Sequence, residues 1–198
     1  MTIGIIGSGE VAQSLAAGFL EHGHDVTLGT RHPDKLSEWR ASHPRARIAS
    51  FAEAAASAEV VVLAVKGSAA AEAVRQAGAG NVAGKVVIDA TNPIADGPPD
   101  HGVLKLFTTL DESLLERLQR EFAGARFVKA FNSVGADLMV NPQLKGGPPS
   151  MFICGNDEVA RGVVKGAEAA RAIEPLCLLW CIPGFLRDEW SHAFKLLR

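Results

Sequence analysis

The sequence predicts an α/β protein: a doubly wound parallel sheet followed by a small C-terminal helical extension. Three observations carry this. The chain opens on a short apolar strand, a glycine turn and an amphipathic helix. Further β-branched runs then alternate with helical patterns through about residue 134. Beyond that point Gly/Pro-rich segments and helical stripes take over. The expected units are residues 1–134, the α/β domain, and 135–198, a small helical part.

Thr2 to Ile6 is apolar and β-branched and reads as a buried strand. Gly7-Ser8-Gly9-Glu10-Val11-Ala12 follows with the spacing G-x-G-x-x-A. Val11, Leu15 and Phe19 then recur at helical spacing beside Ala12, Ala16 and Leu20. Strand, glycine turn and helix in this order form the dinucleotide fingerprint of a Rossmann-like fold. Gly7 permits the tight turn. Gly9, lacking a Cβ, lets backbone N–H groups approach a pyrophosphate. Ala12 is small enough for the helix to lie on the strand. The helix N-terminus adds orphan donors and partial positive charge.

His24 to Gly29 reads as the second strand, with Thr30, Arg31 and Lys35 at and beyond its tip. An NAD site usually carries a carboxylate there to hold the ribose 2′-hydroxyl. No acid occurs before Asp34, and Arg31 offers a planar cationic fork suited to a 2′-phosphate. NADP(H) is therefore expected over NAD(H). Helix is expected from Pro33 to about Arg40, a third strand over Ala46 to Ser50, and an alanine-rich helix over Phe51 to Ala58. Glu59 to Val65 is an unbroken apolar run, as for a central strand buried on both faces. Lys66-Gly67-Ser68 opens the next helix, and Gly84 to Ala90 is the fifth strand.

Thr91 to Gly102 reads as a long loop leaving the ligand side of the sheet. Helix is expected over Asp111 to Phe122, a sixth strand over Arg126 to Ala130, and a helix near Gly135 to Val140. Asn141 to Pro149 reads as a second loop. Ser150 to Gly155 reads as a strand, and Asn156 as the cap of a helix over Asp157 to Val164. Two helical patterns finish the chain: Ala167 to Trp180, restarted near Pro175, and a stripe of Leu186, Trp190, Phe194 and Leu197.

Composition narrows the chemistry. With 198 residues, 47% hydrophobic and 21% charged, the chain has the balance of a soluble globular protein. A formal net charge of -2 and the lack of a Lys/Arg run argue against nucleic acid and anionic membranes as partners. The first strand begins at once, so no cleavable signal is expected, and Leu176 to Ile182 is too short to cross a bilayer. Three cysteines fit a reducing cytoplasm, with Cys177 and Cys181 read as core packing. The absence of tyrosine excludes the Tyr-x-x-x-Lys chemistry of short-chain dehydrogenases. His101 alone among six histidines lies in a ligand-side loop, and it is read as a solvated loop residue. No catalytic acid or base and no metal ligand set is assigned. Direct hydride transfer between two rings needs neither; it needs contact and alignment.

Seven stretches together resemble the coenzyme F-420-dependent NADP oxidoreductase family: IGIIGSGEVAQSLAAGFLEHGHDVTLGTR, VVVLAVK, KVVIDATNP, VKAFNSVGA, MFICGND, EAARAIEPLCLLW and WSHAFKLL. The resemblance implies a Rossmann domain with a C-terminal helical part that supports a homodimer. It implies NADP(H) held at the turn by Ser8, Gly9, Glu10 and Val11, with Gly7 shaping the turn, and at the 2′-phosphate by Thr30, Arg31 and Lys35. Ala64, Val65, Asn92, Pro93 and Asn132 would line the nicotinamide side. The implied second substrate is coenzyme F-420 or a flavin. In this family a further strand precedes the EAAR helix. Here Val163 to Ala167 bridges directly, so that βα element is expected to be missing. Two other functions remain open: an NADP(H) redox sensor without turnover, and a reductase of a small carbonyl or imine.

Overall fold

Strand β1 (Thr2–Ile6) is buried on both faces because its alternate residues serve two separate cores. Ile3 and Ile5 face helix α1 (Glu10–Glu21), while Gly4 and Ile6 face helix α3 (Phe51–Ser57). A Cβ on Gly4 would lie 2.1 Å from the Ala54 carbonyl oxygen, so glycine is what lets α3 sit directly on the strand. The computed structural model of the chain describes residues 1–145, 150–166 and 174–177.

After β1 and α1 come β2 (Asp25–Gly29), α2 (Ser37–Ser42), β3 (Arg47–Ala49) and α3. Then follow β4 (Val60–Leu63), α4 (Ala70–Ala77), α5 (Ala79–Val82), β5 (Val86–Asp89), α6 (Leu114–Glu121) and β6 (Arg126–Lys129). Strands β1 to β6 form one all-parallel sheet of order β3-β2-β1-β4-β5-β6. The order reverses between β1 and β4, the switch point at which open α/β sheets bind ligands. The predicted doubly wound sheet is thus the observed one.

The chain continues through β7 (Ser150–Ile153), α7 (Glu158–Gly166) and β8 (Glu174–Cys177). Strands β7 and β8 pair in parallel as a second small sheet. An antiparallel bridge ties that sheet to the β6 edge: Lys129 N–H donates to the Cys154 carbonyl at 2.7 Å, and Cys154 N–H to the Lys129 carbonyl at 3.1 Å. Met151, Ile153, Ala160 and Val164 join the core under α1. Among the described residues no helix is long and apolar enough to cross a membrane.

Several local expectations are corrected. Glu174 to Cys177, downstream of the EAAR segment, is strand where a helix was expected. Pro175 has no amide hydrogen to give a helix, which favours the extended form. The rest of that predicted helix, and the stripe from Leu186 to Leu197, lie outside the described residues. Helix α6 starts at Leu114 instead of Asp111, because Ser113 and Glu116 form a capping box. Glu116 N–H donates to Ser113 Oγ at 3.2 Å, and Ser113 N–H to Glu116 Oε2 at 2.7 Å. Asp157, not Asn156, caps α7, accepting from Ala160 N–H at 2.9 Å. The helix expected over Pro33 to Arg40 splits into a 3-10 turn, Pro33–Leu36, and α2. Near Gly135 only the 3-10 turn Ala136–Leu138 forms.

The loop after β5 is an ordered arm. Bridges pair Ile94 with Leu106 and Asp100 with Val103. His101 (φ 47°) and Gly102 (φ 82°) form its tip. Both stand at positive φ, as a type I′ turn requires.

Candidate functional site

The glycine turn is held from two sides. Gly7 N–H donates to the Gly29 carbonyl at 3.1 Å, and Ala64 N–H donates to the Ile6 carbonyl at 2.9 Å. Gly7 has φ +136°, and a Cβ there would lie 2.1 Å from the Ala64 carbonyl oxygen. The fold itself demands this glycine. Gly9 is the opposite case. Its φ of −78° and ψ of −176° suit any residue, and a Cβ on it would meet nothing within 4 Å. The first bond of α1 runs from Gln13 N–H to the Gly9 carbonyl at 3.0 Å. The N–H groups of Glu10, Val11 and Ala12 thus precede the helical ladder, and no side chain caps them. Donors that precede the helical ladder, beside an open cradle, fit a pyrophosphate. Gln13 Nε2 donates to the Ser8 carbonyl at 2.9 Å and braces the turn.

The tip of β2 is tied to this turn. Thr30 Oγ1 donates to Ser8 Oγ at 3.1 Å and accepts from His32 N–H at 3.0 Å. Thr30 is buried, whereas Arg31 and Lys35 are exposed. Among the described residues no carboxylate pairs with either cation. A cationic rim therefore stands beside the cradle.

The other half of the site lies at the ends of β4, β5 and β6. Ala64 is buried, and Val65 is half-buried. Asn92 and Asn132 clasp each other: Asn92 Nδ2 donates to the Asn132 carbonyl at 2.8 Å, and Asn132 Nδ2 to Asn92 Oδ1 at 3.2 Å. Gly67 allows the loop to approach, since a Cβ there would lie 1.9 Å from the Asn92 carbonyl oxygen. A cavity of about 380 Å³ adjoins the clasp, lined by Val65, Lys66, Ser68, Thr91, Asn92 and Asp96 among others. Pro93 is half-buried at the base of the arm. His101, 99% exposed at the arm's tip, is the solvated residue the sequence suggested.

The structure thus brings Ser8 together with Thr30, and Asn92 with Asn132. It places no described contact between the two groups. Sequence reasoning missed what lies beneath the clasp. Asp89, fully buried at the end of β5, accepts from Lys129 Nζ at 2.5 Å and from Thr91 N–H and Oγ1 at 2.9 and 2.7 Å. Lys129 Nζ also donates to the Thr91 carbonyl at 2.8 Å. The available signal was a charged residue ending each of two apolar strands, three positions before each asparagine.

The sheet order, the switch point and the open glycine cradle define a dinucleotide-binding protein of the Rossmann type. Comparison with known proteins narrows this. The family described as NADP oxidoreductase, coenzyme F-420-dependent, matches residues 2–93. A candidate F-420-dependent NADP-reductase from Arthrobacter sp. FB24 is 36% identical, with a TM-score of 0.82 over 90% of this chain and 84% of that one. A hypothetical protein, SMa0349, from Sinorhizobium meliloti is 26% identical, with a TM-score of 0.77 over 95% of this chain and 92% of that one. The metalloreductase STEAP3 of Rattus norvegicus is 30% identical over 175 residues, 88% of this chain, but the chain spans only 33% of its length. The chain belongs to the coenzyme F-420-dependent NADP oxidoreductase family and is an NADP-dependent oxidoreductase.

Proposed function

We propose that this chain transfers hydride between NADP(H) and a deazaflavin, coenzyme F-420, or a flavin-like acceptor. The observation that carries the cofactor half is Arg31 at the β2 tip. Its exposed guanidinium meets no carboxylate among the described residues, where an NAD site would present an acid. In this reading Thr30, Arg31 and Lys35 hold the 2′-phosphate. The N–H groups following Gly9 hold the pyrophosphate. Ala64, Val65, Asn92, Pro93 and Asn132 flank the nicotinamide. The bound dinucleotide supplies the hydride, and the protein supplies alignment and exclusion of water.

The open volume beside Asn92 leaves room for a ring at this end of the sheet, and its polar lining with Lys66 also suits a small carbonyl or imine, the second reading. The family resemblance supports a homodimer built through residues 135–198, and a cytoplasmic setting belongs to the same reading. Arg31→Ala should weaken NADPH binding about 10- to 100-fold, the scale of a lost charge-assisted hydrogen bond pair, and leave NADH binding within about twofold. Calorimetric titration of both nucleotides checks it, and equal weakening of the two overturns the 2′-phosphate assignment. Anaerobic NADPH oxidation against deazaflavin, FMN, FAD and ferric chelates identifies the acceptor.

A further inference from the structure

The buried ion pair below the clasp has no part in nucleotide contact as read above, yet it occupies a costly place. Asp89 is 0% exposed, and the Lys129 side chain is 11% exposed. Such pairs add little net stability over well-packed apolar residues, because desolvation offsets the attraction. Packing alone therefore gives no reason for these two side chains here.

Their position does. Asp89 and Lys129 are register partners across β5 and β6. They share the parity of Val87 and Phe127, so both point to the side of α6. Asn92 follows Asp89 by three residues, and Asn132 follows Lys129 by three. The ion pair and the amide clasp are therefore two rungs between the same two segments. The lower rung also fixes the chain between them. Thr91 is gripped at its N–H and hydroxyl by Asp89 and at its carbonyl by Lys129, which sets the direction in which Asn92 leaves the strand. On the other side Lys129 is pinned by the Cys154 bridge. Phe131, fully buried at φ 64°, donates its N–H to Met151 Sδ at 3.3 Å, leaving little freedom before Asn132.

We infer that Asp89 and Lys129 are positioning residues: their ion pair holds Asn92 and Asn132 at the separation needed to seat the nicotinamide end of NADP(H). This rests on the cofactor reading above. The pair acts through the asparagines and touches no reacting atom.

The test compares two probes. NADP⁺ senses both ends of the site, whereas 2′,5′-ADP senses only the adenosine 2′-phosphate end. In the full chain, Lys129→Met should weaken NADP⁺ binding about tenfold or more, as misplacement by about an ångström does, and leave 2′,5′-ADP binding within about twofold. Lys129→Met strands a buried carboxylate and can misfold. The double variant Asp89→Asn/Lys129→Met has no uncompensated charge, and it should show the same split with a melting temperature closer to wild type. Unchanged NADP⁺ affinity in a folded variant overturns the inference. Parallel loss of both probes also overturns it, since that marks a general structural role. If the wild-type chain binds neither probe, the cofactor reading fails first and takes this inference with it.

Discussion

The two glycines of the turn ought to fail in opposite ways when replaced by alanine. At Gly7 the backbone sits at φ +136°, and the new Cβ would stand 2.1 Å from the Ala64 carbonyl oxygen. The turn cannot retreat, because bonds to Gly29 and from Ala64 hold it on both sides. Backbone strain and overpacking together cost about 3 kcal/mol or more. For a chain of this length that lowers Tm by roughly 6–12 °C. At Gly9 nothing lies within 4 Å and the backbone is already extended. Alanine there gains about 0.4–1 kcal/mol from a less free unfolded chain. It loses about as much because alanine is a poorer N-cap than glycine. Stability should stay within about 0.5 kcal/mol and Tm within roughly 2 °C. The methyl group, however, fills the space through which N–H groups must reach a pyrophosphate. Losing those charge-assisted bonds removes about 2 kcal/mol or more, on the order of 30-fold in Kd. Thermal melts with and without saturating NADPH read both effects: Gly7→Ala melts early, and Gly9→Ala melts as wild type but shows an NADPH-induced rise smaller by roughly 4–8 °C. A Gly9→Ala chain that still binds NADPH normally would refute the cradle.

Two further outcomes follow from the same geometry. Gly67→Ala places a Cβ 1.9 Å from the Asn92 carbonyl oxygen. It should lower Tm by several degrees, through roughly 1–3 kcal/mol of overpacking. It should also weaken NADPH and NADH alike, unlike Arg31→Ala; a change in the NADPH/NADH preference would count against the division of the site. Glu53 is held below its ordinary value of 4.5, first by the Ser50 backbone N–H and then by the Ser50 hydroxyl. Its folded-state value lies below its unfolded one. The stabilisation is therefore present above about pH 4.5 and fades as pH falls through the lower value. The Tm advantage of wild type over Glu53→Gln should shrink between about pH 6 and about pH 3, and a constant difference would exclude this linkage.

What could be read from the sequence was what neighbours in sequence decide. Gly7, Gly9 and Ala12 stand between a β-branched strand and a striped helix, and each part of that unit constrains the next within a few residues. The apolar runs ending at Leu63 and Ile88 likewise announce strands buried on both faces. The arm after β5 reads in the sequence as a long loop because its pairing rests on two isolated bridges and one turn, His101-Gly102. Strand β8 was hidden because the residues around Pro175 also satisfy helical spacing. The Asp89–Lys129 pair joins residues 40 apart, and only the sheet register reveals it. Local signals reached the glycine cradle; the Asn92–Asn132 clasp is assembled from strands distant in sequence.

That difference has a functional consequence. In the proposed reading the adenosine end is built by segments leaving β1 and β2, locked by the Thr30–Ser8 hydrogen bond. In the same reading the nicotinamide end is built by segments leaving β4, β5 and β6, locked by two rungs between the last two strands. The halves meet through the main chain of β1 and β4, where Ala64 N–H bonds Ile6 and the Ala64 carbonyl backs Gly7. No described side-chain bond crosses between them. In folding stability, changes at one end should thus combine additively with changes at the other, as expected for sites without shared protein partners. On the proposed cofactor reading, discrimination of the 2′-phosphate is then separable from placement of the nicotinamide.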